Sequence, residues 1–197
     1  MTQAASSAVD GEAVHARIWA LLEQVCDPEI PVISLPELGV VREVRQGETG
    51  WEVVITPTYS GCPAMEQMAD DIVAAMDAAG LAVQVRTQLA PAWTTDWITG
   101  AGRRKLREYG IAPPVARVSG VGAGEGIAAL CGSSASPASA AERVLRFLPR
   151  AATPDLVPCP RCGAQETVQV AQFGSTACKA QYRCLACREP FDYFKPL

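Results

Sequence analysis

Cysteines carry most of the chemistry open to this 197-residue chain, which has eight of them and a single histidine. Four close the chain in two Cys-x-x-Cys pairs, Cys159 with Cys162 and Cys184 with Cys187. Each pair offers two soft sulfurs from one tight turn, and four thiolates around a tetrahedral centre suit Zn²⁺, as in a zinc ribbon. Rubredoxin-like iron or an iron–sulfur cluster takes the same four ligands, with Cys178 as a spare thiol upstream of the second pair. Gly163 follows the first pair, where a relaxed backbone helps the turn close. So short a segment cannot bury enough apolar surface by itself, so metal binding and folding are expected to be coupled.

A second thiol stands apart. In TPTYSGCPAMEQM an expected strand gives way to a polar turn, and Cys62 precedes Pro63 at the expected first helical position. A thiolate there meets the positive end of the helix, which lowers its pKa and suits it to bind a soft metal or act as a nucleophile. An inert, buried thiol is the competing reading. The proline-rich loop CDPEIP adds Cys26, Asp27 and Glu29. Packed beside Cys62, its carboxylates would complete a thiol–carboxylate ligand set; Asp27 can instead hold the turn by accepting local amides. Trp93 and Trp97 in PAWTTDW either cover a site, form an interface or pack in the core.

Other chemistries lack their residues. His15, the one histidine, lies in a helix-like segment, which excludes multi-histidine metal centres and most histidine-dependent hydrolases. No ExxH pair is available for a carboxylate-bridged di-iron site, and no GxGxxG or GxxxxGK[ST] loop for nucleotides. A formal charge of -4 argues against a nucleic-acid or anionic-membrane partner. No stretch has the length and apolarity of a membrane span, and the N-terminal residues do not read as a secretory signal. A reducing cytoplasm is the expected setting, with metal-bound thiolates rather than disulfides.

The elements that must position these groups follow from periodicity. Residues 1–11 read as a flexible tail. Helical spacing of Val14, Ile18, Leu21, Leu22 and Val25 is followed by strands at Val40–Val44 and Trp51–Thr56, a plausible hairpin. A helix at Pro63–Ala79, a strand at Leu81–Leu89 and a short helix within Trp97–Tyr109 complete an α/β (α+β) domain with a mixed sheet, placed at 12–115. A Gly/Ala/Ser-rich connector spans 116–155, containing Cys131 and a short helix at Ala141–Leu148. The module at 156–197 is expected to be a zinc-ribbon-like β unit with strands at Thr167–Gln172 and Lys179–Arg183. Its closing FDYF is rich for so small a core and suggests docking against a partner.

Two sets of motifs carry a family resemblance. DPEIPVISLPELGVVREV followed by TPTYSGCPAMEQM resembles the domain shared by SufT-like proteins and the eukaryotic cytosolic iron–sulfur targeting factors. PAWTTDW, GRRKLREYGIAPP and CPRCG…FGSTACKAQYRCLACREPFDYFK narrow this to a resemblance to the D-type (also called J) subunits of bacterial phenylacetyl-CoA epoxidases, over residues 12–114 and 156–197. The connector is longer than the family pattern. The resemblance implies a non-catalytic accessory subunit in aerobic phenylacetate degradation, assisting assembly or insertion of iron or iron–sulfur centres, or alternatively a purely structural scaffold. It implies a transient iron or cluster site at Cys62 with Asp27 and Glu29. It also implies zinc held by Cys159, Cys162, Cys184 and Cys187. The implied partners are the oxygenase and reductase subunits; a homodimer through the α/β domain is left open.

Overall fold

The computed structural model describes residues 3–114 and 156–196. The expected connector at 116–155, with Cys131 and the helix placed at Ala141–Leu148, lies outside the described residues. In chain order the first elements are α1 (Gln3–Leu22), β1 (Cys26–Asp27), β2 (Ile30–Ser34) and α2 (Leu35–Leu38). Next come β3 (Val41–Gln46), β4 (Trp51–Ile55), α3 (Met65–Ala78) and β5 (Val83–Thr87). A 3₁₀ turn at Thr95–Trp97, α4 (Gly100–Tyr109) and β6 (Ile111–Ala112) lead to β7 (Thr167–Ala171), β8 (Lys179–Cys184) and β9 (Pro190–Phe194).

The alternating strands behave as their period requires. β3 and β4 form the expected antiparallel hairpin, and β5 adds parallel to β4, giving a mixed sheet of order β3-β4-β5. The α3 crossover between β4 and β5 makes that parallel pairing possible. Ile18 and Leu22 of α1, Val53 and Ile55 of β4, and Ile72 and Met76 of α3 all enter one core. Helix α1 starts at Gln3 rather than Glu12: the alanines of this segment have the strongest helix propensity, and Gly11 does not interrupt the helix. Helix α3 starts at Met65, not at Pro63. The cap residue Ala64 has no side-chain acceptor, and the preceding residues are held in a turn by the Cys62 N–H donating to the Tyr59 carbonyl at 3.2 Å.

The proline-rich loop is more ordered than its composition suggests. β1 and β2 pair antiparallel, and Ser34 opens α2 with a capping box to Glu37. Gly39 ends α2 at φ 77°, and a Cβ there would lie 2.6 Å from the Trp97 Cβ and carbonyl oxygen. Gly102 of α4 faces the Glu37 carbonyl oxygen, which would be 2.8 Å from an added Cβ. Glycine at these two positions lets α4 and the Trp97 turn lie directly on the loop.

In the closing module, β9 lies between β8 and β6, in a sheet of order β6-β9-β8-β7. β6 pairs parallel with β9 through Ile111–Asp192 and Ala112–Tyr193, so the sheet crosses the boundary expected between the two units. Phe191 and Tyr193 build the module's own core with Val157, Ala112 and Ala180. Phe194 joins the main core instead, its ring 5.8 Å from that of Trp93. The docking partner of FDYF thus includes the chain's own α/β domain. Phe173 stays exposed, with the Lys195 ammonium 4.2 Å from its ring centre. No helix of the described residues is long and apolar enough to cross a membrane.

Candidate functional site

Two turns at the ends of β7–β9 bring the paired cysteines together. The sulfurs of Cys159, Cys162, Cys184 and Cys187 all lie within 4.8 Å of one another. Cys159 and Cys187 are separated by 3.8 Å, and Cys162 and Cys184 by 3.6 Å. A tetrahedral ion with metal–sulfur bonds of about 2.3 Å sets its ligands about 3.8 Å apart, so the residues present fit zinc. Each turn uses a left-handed residue after its second cysteine, Gly163 at φ 76° and Arg188 at φ 64°. The Cys187 amide donates to the Cys184 sulfur at 3.4 Å and holds that thiol down to about 7. Cys187 is pushed up to about 12: the Glu189 amide favours its thiolate, but burial and the neighbouring Cys184, Cys162 and Cys159 sulfurs outweigh it. Four thiolates this close repel one another, and a divalent cation between them removes the conflict.

The second constellation lies around Cys62. Asp27 is 5% exposed, and its Oδ1 accepts the amides of Glu29 and Ile30 at 2.8 and 2.9 Å. It holds the loop, as the turn-forming alternative expects, and burial raises its pKa against the help of those amides. Cys62 is half-buried, and its thiol is pushed up, not down. This corrects the helix-terminus expectation. Burial is the largest cause, and the Glu29 and Asp27 carboxylates add to it, outweighing the Ala64 amide and the Tyr59 hydroxyl, which favour the thiolate. With α3 beginning two residues beyond Pro63, Cys62 stands outside the helix's first turn, where the dipole is weak.

The Glu29 and Asp27 carboxylates act on the Cys62 thiol electrostatically, and both disfavour its thiolate. The spare thiol of the closing module, Cys178, meets Glu29 of the proline-rich loop. Cys178, at the entry to β8, is buried in the main core and donates to Glu29 Oε2 at 3.6 Å, with Thr176 Oγ1 3.0 Å from its sulfur. Burial pushes its thiol up to about 11. The motif GSTACK carries no ligand spacing, so only the three-dimensional docking of the ribbon reveals it. Trp93 is a core residue whose indole N–H donates to the Leu38 carbonyl at 3.1 Å. Trp97 receives the Arg42 guanidinium 3.3 Å from its ring centre. His15 is taken up by packing between Trp19 and Trp51, with the Trp19 indole N–H 3.2 Å from its Nε2.

Two protein families match the chain in tandem. Residues 149–195 match the PaaD zinc beta ribbon domain, and residues 15–86 match the iron–sulfur cluster assembly protein family. The chain is 48% identical over 92% of its length to the D component of the putative 1,2-phenylacetyl-CoA epoxidase of Escherichia coli K12, covering 92% of that protein. The chain belongs to the family of D-type phenylacetyl-CoA epoxidase subunits. It is also 33% identical to the Fe–S protein maturation auxiliary factor YitW of Bacillus subtilis, over 50% of this chain and 90% of that protein. Among solved structures, a domain of unknown function DUF59 from Bacillus anthracis aligns with a TM-score of 0.44 and 25% identity, over 48% of this chain and 92% of that one. This D-type subunit thus joins a mixed α/β domain to a zinc ribbon, and the four ribbon cysteines form its evident metal-binding cluster.

Proposed function

We propose that this chain is a non-catalytic accessory subunit of a phenylacetyl-CoA epoxidase that assists assembly or insertion of the iron or iron–sulfur centres of its partner subunits. What supports the reading is a half-buried Cys62 that feels the Asp27 and Glu29 carboxylates, in a domain whose relatives include a named Fe–S maturation factor. Cys62 serves as a transient ligand for the cargo. At rest it is a protonated thiol, so it releases a proton when it takes a metal and regains one when it gives the metal up. Glu29, half-buried on the same loop, supplies an oxygen ligand, while Asp27 holds the loop in place. Zinc bound by Cys159, Cys162, Cys184 and Cys187 is a resident structural ion that builds the ribbon.

The test is Cys62→Ser, with the epoxidase subunits produced alongside the variant and their iron and acid-labile sulfide measured after purification. Iron occupancy is expected to fall by about tenfold or more, the scale on which losing an interaction at a metal site weakens it. Unchanged iron together with unchanged epoxidase activity would reduce the chain to a structural scaffold.

A further inference from the structure

One helix of this acidic chain is strongly basic. α4 holds Arg103, Arg104, Lys105 and Arg107 against Glu108 alone, a charge of +3 in a chain of formal charge -4, so the remaining residues carry -7. Two of these cations are engaged by the fold. Lys105 pairs with Glu37, and Arg103 donates from Nη1 to the Pro114 carbonyl at 2.7 Å and from Nη2 to the Thr95 carbonyl at 2.6 Å. Arg104 and Arg107 are exposed, and among the described residues neither guanidinium has an ion pair or a hydrogen bond. The zinc site does not account for them. Residues 156–197 carry five basic and three acidic side chains, and this +2 already offsets the net -2 of one Zn²⁺ with four thiolates. The helix dipole favours a cation in the last turn, where Arg107 stands, but that explains the charge and not the groove beside it.

Arg103 and Arg107 line a groove of about 550 Å³ together with Leu156 and the prolines Pro113, Pro114, Pro158 and Pro160. The prolines have no backbone N–H to offer. The amides of Cys159 and Gly163, at the same groove, are already given to the Ala164 and Cys159 carbonyls. Hydrogen-bond donors for an occupant therefore come from the two guanidiniums and the Gln165 amide. Arg103 is held in place by its two carbonyls and still has N–H donors to spare, while Arg107 has its full set. Leu156, 71% exposed, adds uncovered apolar surface. A fixed guanidinium, a free one and an apolar lining together suit a carboxylate with an apolar side chain next to it.

We propose that this groove is the docking surface for an acidic segment of a partner epoxidase subunit. A carboxylate of that segment meets Arg107 and the spare donors of Arg103, and an apolar side chain beside it covers Leu156 and the proline rings. Charge complementarity selects an acidic partner, and membership of a family of epoxidase subunits selects which proteins supply it. α4, Pro113 and Pro114 fall between the two matched family regions, 15–86 and 149–195, so neither region by itself builds the groove. Cys62 does not line it, so docking here is independent of any metal held at Cys62.

The full zinc-loaded chain is titrated with the purified oxygenase and reductase subunits of the epoxidase at several salt concentrations. Wild type is expected to bind one of them with an affinity that falls as salt rises. Arg107→Glu is expected to bind about tenfold or more weakly at low salt, with the gap narrowing at high salt, and Arg107→Lys to recover part of the loss. Leu156→Ser is expected to weaken binding while leaving its salt dependence as in wild type. Arg86→Glu, which makes the same change of net charge on β5, is expected to bind as wild type does. Zinc content and circular dichroism check that each variant is folded, which the exposure of Arg107, Leu156 and Arg86 favours. An Arg107→Glu chain with wild-type affinity, or an equal loss in Arg86→Glu, would overturn the assignment. So would a wild type that binds neither subunit, self-association of the chain that depends on Arg107, or displacement of the subunit by a nucleic-acid duplex at low concentration. The delivery reading is decided separately, by the iron content of the partner subunits with Cys62→Ser.

Discussion

Asp27 shows how one side chain can be read two ways and how the geometry chooses. Its Oδ1 is occupied by two backbone amides, so its first duty is to the turn that carries Glu29. Asp27→Ala would leave those amides unpaired in a buried place and is expected to cost about 1–3 kcal/mol, read from urea unfolding. Asp27→Asn keeps an oxygen acceptor and removes the buried charge. Because burial raises the folded-state pKa above 3.8, the carboxyl favours the fold fully only below that value and loses this advantage as pH rises through the folded pKa. The asparagine variant should therefore match or exceed wild type in Tm at neutral pH and lose its advantage on acidification towards pH ~4. Asp27 and Glu29 were legible as a candidate pair because carboxylates on a rigid loop are conspicuous in sequence. The direction of the Cys62 shift was not: it depends on where α3 begins and how deeply the turn packs, and Ala64 gives no cap signal.

At the scale of elements, the alternation of Trp51, Val53 and Ile55 and of Val83, Val85 and Thr87 made β4 and β5 readable, while β3 is anchored by the buried Val41 and Val44. β9 was hidden because Phe191, Tyr193 and Phe194 are all buried, leaving no alternation to read. β6 is two residues long and is a strand only because β9 lies beside it. The loop between β2 and β3 depends on contacts no local pattern reveals. Gly39→Ala would force a left-handed alanine against Trp97 and is expected to destabilise by roughly 2–4 kcal/mol, measurable by chemical denaturation. Glu37 caps α2 and meets the Lys105 ammonium at 2.7 Å. Burial opposes its charge, but Lys105 and Ser34 outweigh that and hold its pKa below 4.5. Its contribution is present above the ordinary glutamate pKa and is lost as pH falls through the lower folded value. A Glu37→Gln variant should therefore be less stable than wild type at neutral pH, with the gap in Tm closing below pH ~4.5.

On the scale of the whole molecule, an ion bound at the four cysteines would act beyond the ribbon. Stripping it with a strong chelator under reducing conditions is expected to unfold β7–β9 and, through Phe194, to uncover Trp93. The loss of strand signal in circular dichroism and a red shift of tryptophan emission should run together, and zinc should restore both. A ribbon that kept its strands without metal would contradict this. The composition of the two units was legible, but their joint was not, because it is made of contacts between residues far apart in sequence: the β6–β9 pairing, the Trp93–Phe194 ring contact and the Cys178–Glu29 hydrogen bond. That joint also governs how such proteins can be recombined. The two recognised families cover 15–86 and 149–195, yet Trp93, Gly102 and the Ile111–Ala112 strand fall in neither. A chimera cut at those family borders would inherit both cassettes without the mortar between them, so grafting a ribbon from one relative onto another will succeed only when residues 87–112 travel with it.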